Sequence, residues 1–82
     1  MLVNKLPSMY KTKKIARNNL ALVLKTKRKE LKYSQEKLAE VAGLHRNYVG
    51  AVERGEINIA VDNIEKLALA LEIGICEFFE KI

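Results

Sequence analysis

Arg46, Asn47 and Tyr48 follow one another in the stretch GLHRNYVGAVERG, three residues beyond a glycine and at the start of a short apolar-periodic segment. Side chains at the N-terminal end of a short helix are the ones that reach base edges when that helix enters a DNA major groove. Catalytic chemistry has much less to work with. The chain has one histidine, His45, and one cysteine, Cys76, on different predicted elements, and neither a glycine-rich phosphate loop nor a ligand pair at metal spacing. Glu36 and Glu40 lie four apart on one predicted helix, the spacing of a solvated face and not of a carboxylate pair set for acid–base work. The residues therefore argue for binding and against an enzyme, and they call for no cofactor and no metal.

The stretch Ser34–Gly55, SQEKLAEVAGLHRNYVGAVERG, positions those side chains. Ser34 is a natural N-cap, with a side-chain oxygen for the unpaired N–H groups of the next turn. Gln35, Glu36 and Lys37 open a helix whose apolar positions are Leu38, Ala39, Val41 and Ala42. Gly43 ends it, because the residue just past a helix often has positive φ and glycine takes that conformation without strain. Leu44 turns inward, a second helix runs from about His45 to Arg54 on Val49 and Val52, and Gly55 closes it. Two helices this short, joined through a glycine turn, describe a helix-turn-helix.

Composition sets the surroundings of this motif. Eighty-two residues make one small domain with a single modest core that dimerisation would extend. Strand alternation is almost absent, so the chain reads as all-α. No apolar run approaches the ~20 residues of a membrane span, and the N-terminus lacks a signal peptide's apolar stretch. A lone cysteine fits a reducing cytoplasm. Cys76 itself reads as a small buried hydrophobe. The net charge of +5 is unevenly placed: residues 1–33 hold ten of the fifteen Lys and Arg against Glu30 alone, while acids predominate afterwards. A basic third beside an acidic remainder suits a polyanionic partner, although lysines also simply keep a segment soluble. Residues 1–14, with the only proline and no sustained period, read as a basic arm, either free or packed through Leu2, Leu6, Met9 and Tyr10.

Residues 15–82 make up the domain proper. A first helix spans about Ile15 to Lys32, with Leu20, Val23, Leu24 and Leu31 as its core stripe. After Gly55, Ile57, Ile59 and Val61 alternate as a lid. A helix over Val61–Leu71 buries Ile64, Leu67, Ala68 and Leu71, and a final short one from about Ile75 to Glu80 carries Ile75, Phe78, Phe79 and Ile82. Leu69, Ile75, Phe79 and Ile82 are expected to form a homodimer contact, since apolar side chains this close to the chain end exceed what one small core covers.

The string SQEKLAEVAGLHRNYVGAVERGEINIAVDNIEKLALAL resembles the Cro/CI-type (XRE) helix-turn-helix regulators over about Asn19 to Phe79. Within that family it is most similar to the controller proteins of restriction–modification systems, where GLHR-x-Y and ERG recur. The resemblance implies a compact five-helix bundle of the lambda-repressor-like type that binds palindromic double-stranded operator DNA as a homodimer. It places Arg46 and Asn47 at base edges, the first suited to guanine O6 and N7 and the second to adenine. It puts Ser34, Gln35, His45, Tyr48 and Arg54 on the sugar-phosphate backbone and makes Arg28 and Glu53 a buried salt bridge.

Several positions depart from the pattern. Gly50 and Ala51 stand where relatives often carry polar base contacts, thinning that face for close approach or for a thymine methyl. Ile57 replaces an arginine that controllers often use on DNA. Ala60 replaces a capping serine or threonine, and Glu72 and Gly74 replace cap residues after the next helix. A phage-type or general repressor, an antitoxin, and a helical adaptor without DNA affinity are the alternative readings. RNA polymerase is a further partner if the output is activation.

Overall fold

The computed structural model describes residues 15–79, and among these it contains four α-helices and one terminal 3-10 helix: α1 Ile15–Glu30, α2 Gln35–Ala42, α3 Arg46–Glu53, α4 Val61–Leu71 and the 3-10 helix Ile75–Phe79. The basic arm of residues 1–14, and Ile82 of the expected dimer contact, lie outside the described residues. Where a fifth α-helix was expected, only a five-residue 3-10 turn forms. A segment this short, bounded by Gly74, closes tighter i→i+3 bonds more readily than an α-helical turn.

All four α-helices end in the same paired bond. A residue one or two past the helix end donates back three residues, and the next one donates back five: Lys32 to Lys29 and Tyr33 to Arg28, Gly43 to Glu40 and Leu44 to Ala39, Gly55 to Val52 and Glu56 to Ala51, Glu72 to Leu69 and Ile73 to Ala68. This closure needs a left-handed residue at the turn. Gly43 (φ 73°) and Gly55 (φ 70°) supply it without strain, whereas Lys32 (φ 63°) and Glu72 (φ 62°) adopt it as non-glycine residues. The two glycines thus flank α3 and bound it on either side.

The core gathers Leu20, Val23 and Leu24 of α1, Leu38, Ala39 and Ala42 of α2, Val49 and Val52 of α3, Ile64, Leu67, Ala68, Ala70 and Leu71 of α4, and Phe78. Four apolar residues expected inside are exposed. Leu31 still donates to the Lys27 carbonyl, but it sits at the frayed end of α1, just before the chain turns away at Lys32, and nothing packs over it there. Val41 flanks the α2 arc that buries Leu38, Ala39 and Ala42. Val61 opens α4, and because helical side chains lean toward the N-terminus it points past the end of the core. Cys76 is exposed because Phe78 is the one residue of the 3-10 helix inserted into the core. Ile57 and Ile59 do pack on the core as expected.

Helix α4 starts on Ala60, which has cap geometry (φ −68°, ψ 148°) and no side-chain acceptor. Ala60→Ser supplies that acceptor and is expected to stabilise the fold by about 1 kcal/mol. Chemical denaturation checks it, and an unchanged midpoint would show that water already satisfies those N–H groups. No described helix is long and apolar enough to cross a membrane.

Candidate nucleic-acid interface

The site is assembled around one buried ion pair. Arg28, near the end of α1, and Glu53, the last residue of α3, form a bidentate pair: Nε donates to Oε2 and Nη2 to Oε1, the latter at 3.1 Å. Their side chains are 10% and 3% exposed. Arg28 Nη1 also donates to the Tyr33 carbonyl at 2.8 Å, and Gln35 Nε2 donates to Glu53 Oε1 at 2.9 Å. One carboxylate therefore ties the end of α1, the first residue of α2 and the end of α3 together. No buried side-chain nitrogen or oxygen among the described residues lacks a hydrogen-bond partner.

This frame presents the N-terminal end of α3 to solvent. His45 takes the N-cap position (φ −84°, ψ 141°) without a side-chain cap bond. His45, Arg46 and Asn47 are all exposed. The Arg46 guanidinium lies 3.9 Å from the Glu36 carboxylate of α2, an exposed pairing too long for a hydrogen bond. Ser34 caps α2 as expected, its Oγ accepting from the Lys37 N–H at 2.9 Å, and the hydroxyl proton remains available to an acceptor outside the protein.

Tyr48 is half-buried against the core, and its hydroxyl accepts from Asn63 Nδ2 of α4 at 3.0 Å. That bond leaves the phenolic proton free to donate outward. Asn63 is thus a supporting residue that the sequence reading missed. Fifteen residues separate it from Tyr48, and no local spacing connects them.

Gly50 and Ala51, the other two residues expected at base edges, are less open than Arg46 and Asn47. Gly50 is buried, and a Cβ built on it would meet Arg54 Nη1 at 3.2 Å and Gln35 Oε1 at 3.4 Å. Its bare backbone lies under those two side chains. Ala51 is half-buried. Arg54, the C-cap of α3, donates from Nε to Glu56 Oε2 at 2.9 Å. That hydrogen bond, with the Glu56 charge, raises the Arg54 pKa above its ordinary value, and the same bond lowers that of Glu56. The structure therefore brings Gln35, Gly50 and Arg54 together at one end of α3 and sets Arg46 and Asn47 at the other.

A shallow depression borders the site. It has a volume of about 300 Å³, lies between α2 and the start of α3 and is lined by Glu36, Glu40, His45 and Arg46. No cluster of His, Cys, Asp and Glu among the described residues is arranged to hold a metal ion. On α4 and the 3-10 helix, Leu69 is 72% exposed, Ile75 38% exposed and Phe79 half-buried. These are three of the four residues expected to meet a second copy.

Two short helices joined by a left-handed glycine turn, the second with its N-terminal polar side chains outward, define a helix-turn-helix domain. The helix-turn-helix family model matches residues 24–78, and the chain belongs to that family. It is 41% identical over 61 residues to the control protein C.BamHI of Bacillus amyloliquefaciens, an alignment covering 68% of this chain and 75% of that one. It is 50% identical over 42 residues to the control protein C.SmaI of Serratia marcescens, covering 51% and 50% of the two chains. Among solved structures, the restriction-modification controller protein C.AhdI of Aeromonas hydrophila superposes with a TM-score of 0.74 at 44% identity, over 77% of this chain and 96% of that one.

Proposed function

We propose that this chain is a sequence-specific double-stranded DNA-binding transcriptional regulator, acting as a homodimer on a palindromic operator as the controller of a restriction–modification system. The observation that carries the reading is the outward N-terminal end of α3, Arg46 and Asn47, on a helix locked by a buried ion pair in a fold shared with controller proteins. Arg46 and Asn47 read base edges. Ser34, Gln35, His45, Tyr48 and Arg54 surround them as contacts to phosphate and sugar, which fix register and carry no sequence information themselves. Leu69, Ile75 and Phe79 join two copies so that two α3 helices meet successive major-groove segments. The protein acts in the cytoplasm, and activation of its operon would bring RNA polymerase in as a second partner.

Selection of bound DNA from a random pool at near-physiological salt, with wild type and Arg46→Ala in parallel, tests this. Wild type is expected to recover a two-fold symmetric site whose halves lie about one helical turn apart. Arg46→Ala should lose one base preference in each half and ~1–3 kcal/mol of discrimination there. Recovery of nothing above background would move the reading to a protein-binding adaptor. A symmetric site upstream of the protein's own gene, beside a nuclease and a methyltransferase, is the outcome expected of a controller.

A further inference from the structure

We propose that Glu56 is a built-in competitor for the DNA phosphate at Arg54, setting how tightly the domain holds DNA of any sequence. The inference rests on the reading of Arg54 as a phosphate contact. Gly55 turns the chain back after α3, with the Glu56 N–H bonded to the Ala51 carbonyl, and this brings the Glu56 carboxylate alongside the helix end. There it accepts from Arg54 Nε at 2.9 Å. The same guanidinium has its Nη1 over the bare backbone of Gly50, beside Gln35 Oε1. The cation aimed at the proposed phosphate position therefore already holds an oxyanion.

The pair has no evident structural duty. Both side chains are more than half exposed, and the end of α3 is closed by backbone bonds alone. Its geometry is nonetheless that of a charge-assisted hydrogen bond, unlike the 3.9 Å approach of Glu36 to Arg46. Carboxylate and phosphate make the same demand on a guanidinium. When DNA arrives, the phosphate either displaces Glu56 or shares Arg54 with it, and both outcomes leave a carboxylate within a Debye length of the DNA. Because the contact is to phosphate, the penalty is the same for operator and for unrelated sequence. Glu56 thereby restrains non-specific binding without altering base readout.

The test compares wild type, Glu56→Gln, Arg54→Ala and the double variant on the duplex recovered by the selection above and on a scrambled duplex, each across a salt series. Glu56→Gln is expected to tighten both duplexes by the same factor, about threefold, with a log–log salt slope steeper by up to ~1. In the Arg54→Ala background the tightening should vanish, because no guanidinium remains to compete for. Equal tightening with and without Arg54 would overturn the proposal in favour of simple charge repulsion. Absence of tightening, alongside weakened binding by Arg54→Ala, would overturn it while leaving the phosphate contact intact. Wild-type binding by Arg54→Ala would remove both. Equal melting temperatures across the four proteins exclude a folding origin for any difference.

Discussion

Glu53→Ala is expected to destabilise the domain by ~3–5 kcal/mol, because it leaves the Arg28 guanidinium buried without its counter-charge. The substitution strips Arg28 of two of its three hydrogen bonds and Gln35 of the bond from Nε2; only the Tyr33 carbonyl still accepts from Arg28. Domains of this size hold roughly 0.05–0.15 kcal/mol per residue, so a loss of this order consumes much of the total. At ~4–8 °C per kcal/mol for small domains, the melting temperature should fall by well over 10 °C. A companion variant separates the penalty of an unpaired charge from the worth of the pair. Replacing both members with apolar residues, Arg28→Met with Glu53→Leu, is expected to recover most of the stability, as buried ion pairs often add little over a packed apolar substitute. A melting temperature unmoved by Glu53→Ala would show that the pair holds nothing. The functional consequence is separable too. In the apolar double variant α3 stays packed, but Gln35 has no carboxylate to orient it, so weaker DNA binding at normal stability would identify orientation of Gln35 as the pair's contribution to function.

The helix-turn-helix was legible because its punctuation is local. Ser34 caps α2, while Gly43 and Gly55 take the left-handed closures, and each signal acts within five residues of the backbone groups it satisfies. Helix α4 was legible from its spacing alone, and all four of its expected core residues are buried. What escaped depends on tertiary placement. Helical period places Leu31 on the core side and Leu31 keeps its bond to the Lys27 carbonyl, yet the chain turns at Lys32, a residue with no sequence preference for that conformation, and the core ends before reaching Leu31. Cys76 is exposed because the closing segment is a 3-10 turn, and in so short a piece a single inserted residue decides the burial of the rest. At the site, exposed Arg46 and Asn47 follow from their position on α3. The cover over Gly50, the Asn63–Tyr48 bond and the Glu56–Arg54 pair depend on where neighbouring side chains lie, which helical period does not encode.

Phe78→Ala carries the other large expected effect, a loss of ~3–5 kcal/mol for emptying a fully buried aromatic site. The 3-10 helix that bears it is five residues long and has little stability of its own. Three features tie it to α1: the Phe78 ring in the core, the Asn19 Nδ2 bond to the Phe78 carbonyl at 3.0 Å, and a half-buried Lys27–Glu77 pair at 3.8 Å. Of these only the ring removes much apolar surface from water, so its deletion should free the whole segment from Ile75 to Phe79. That segment also carries Ile75 and Phe79, part of the proposed dimer contact, and Phe79 meets Phe78 edge-to-face at a centroid distance of 6.5 Å. Phe78→Ala is therefore expected to weaken both folding and self-association, and through self-association the affinity for a two-fold symmetric site. Phe79→Glu provides the contrast. Its ring is only half-buried, so the charge should lower melting temperature far less while abolishing the dimer by mass measurement in solution. A dimer that survives Phe79→Glu would move the contact away from this end of the bundle. A Phe78→Ala protein that melts like wild type would show that the closing turn is dispensable to the core, leaving α1 and α2 to hold α3 without it.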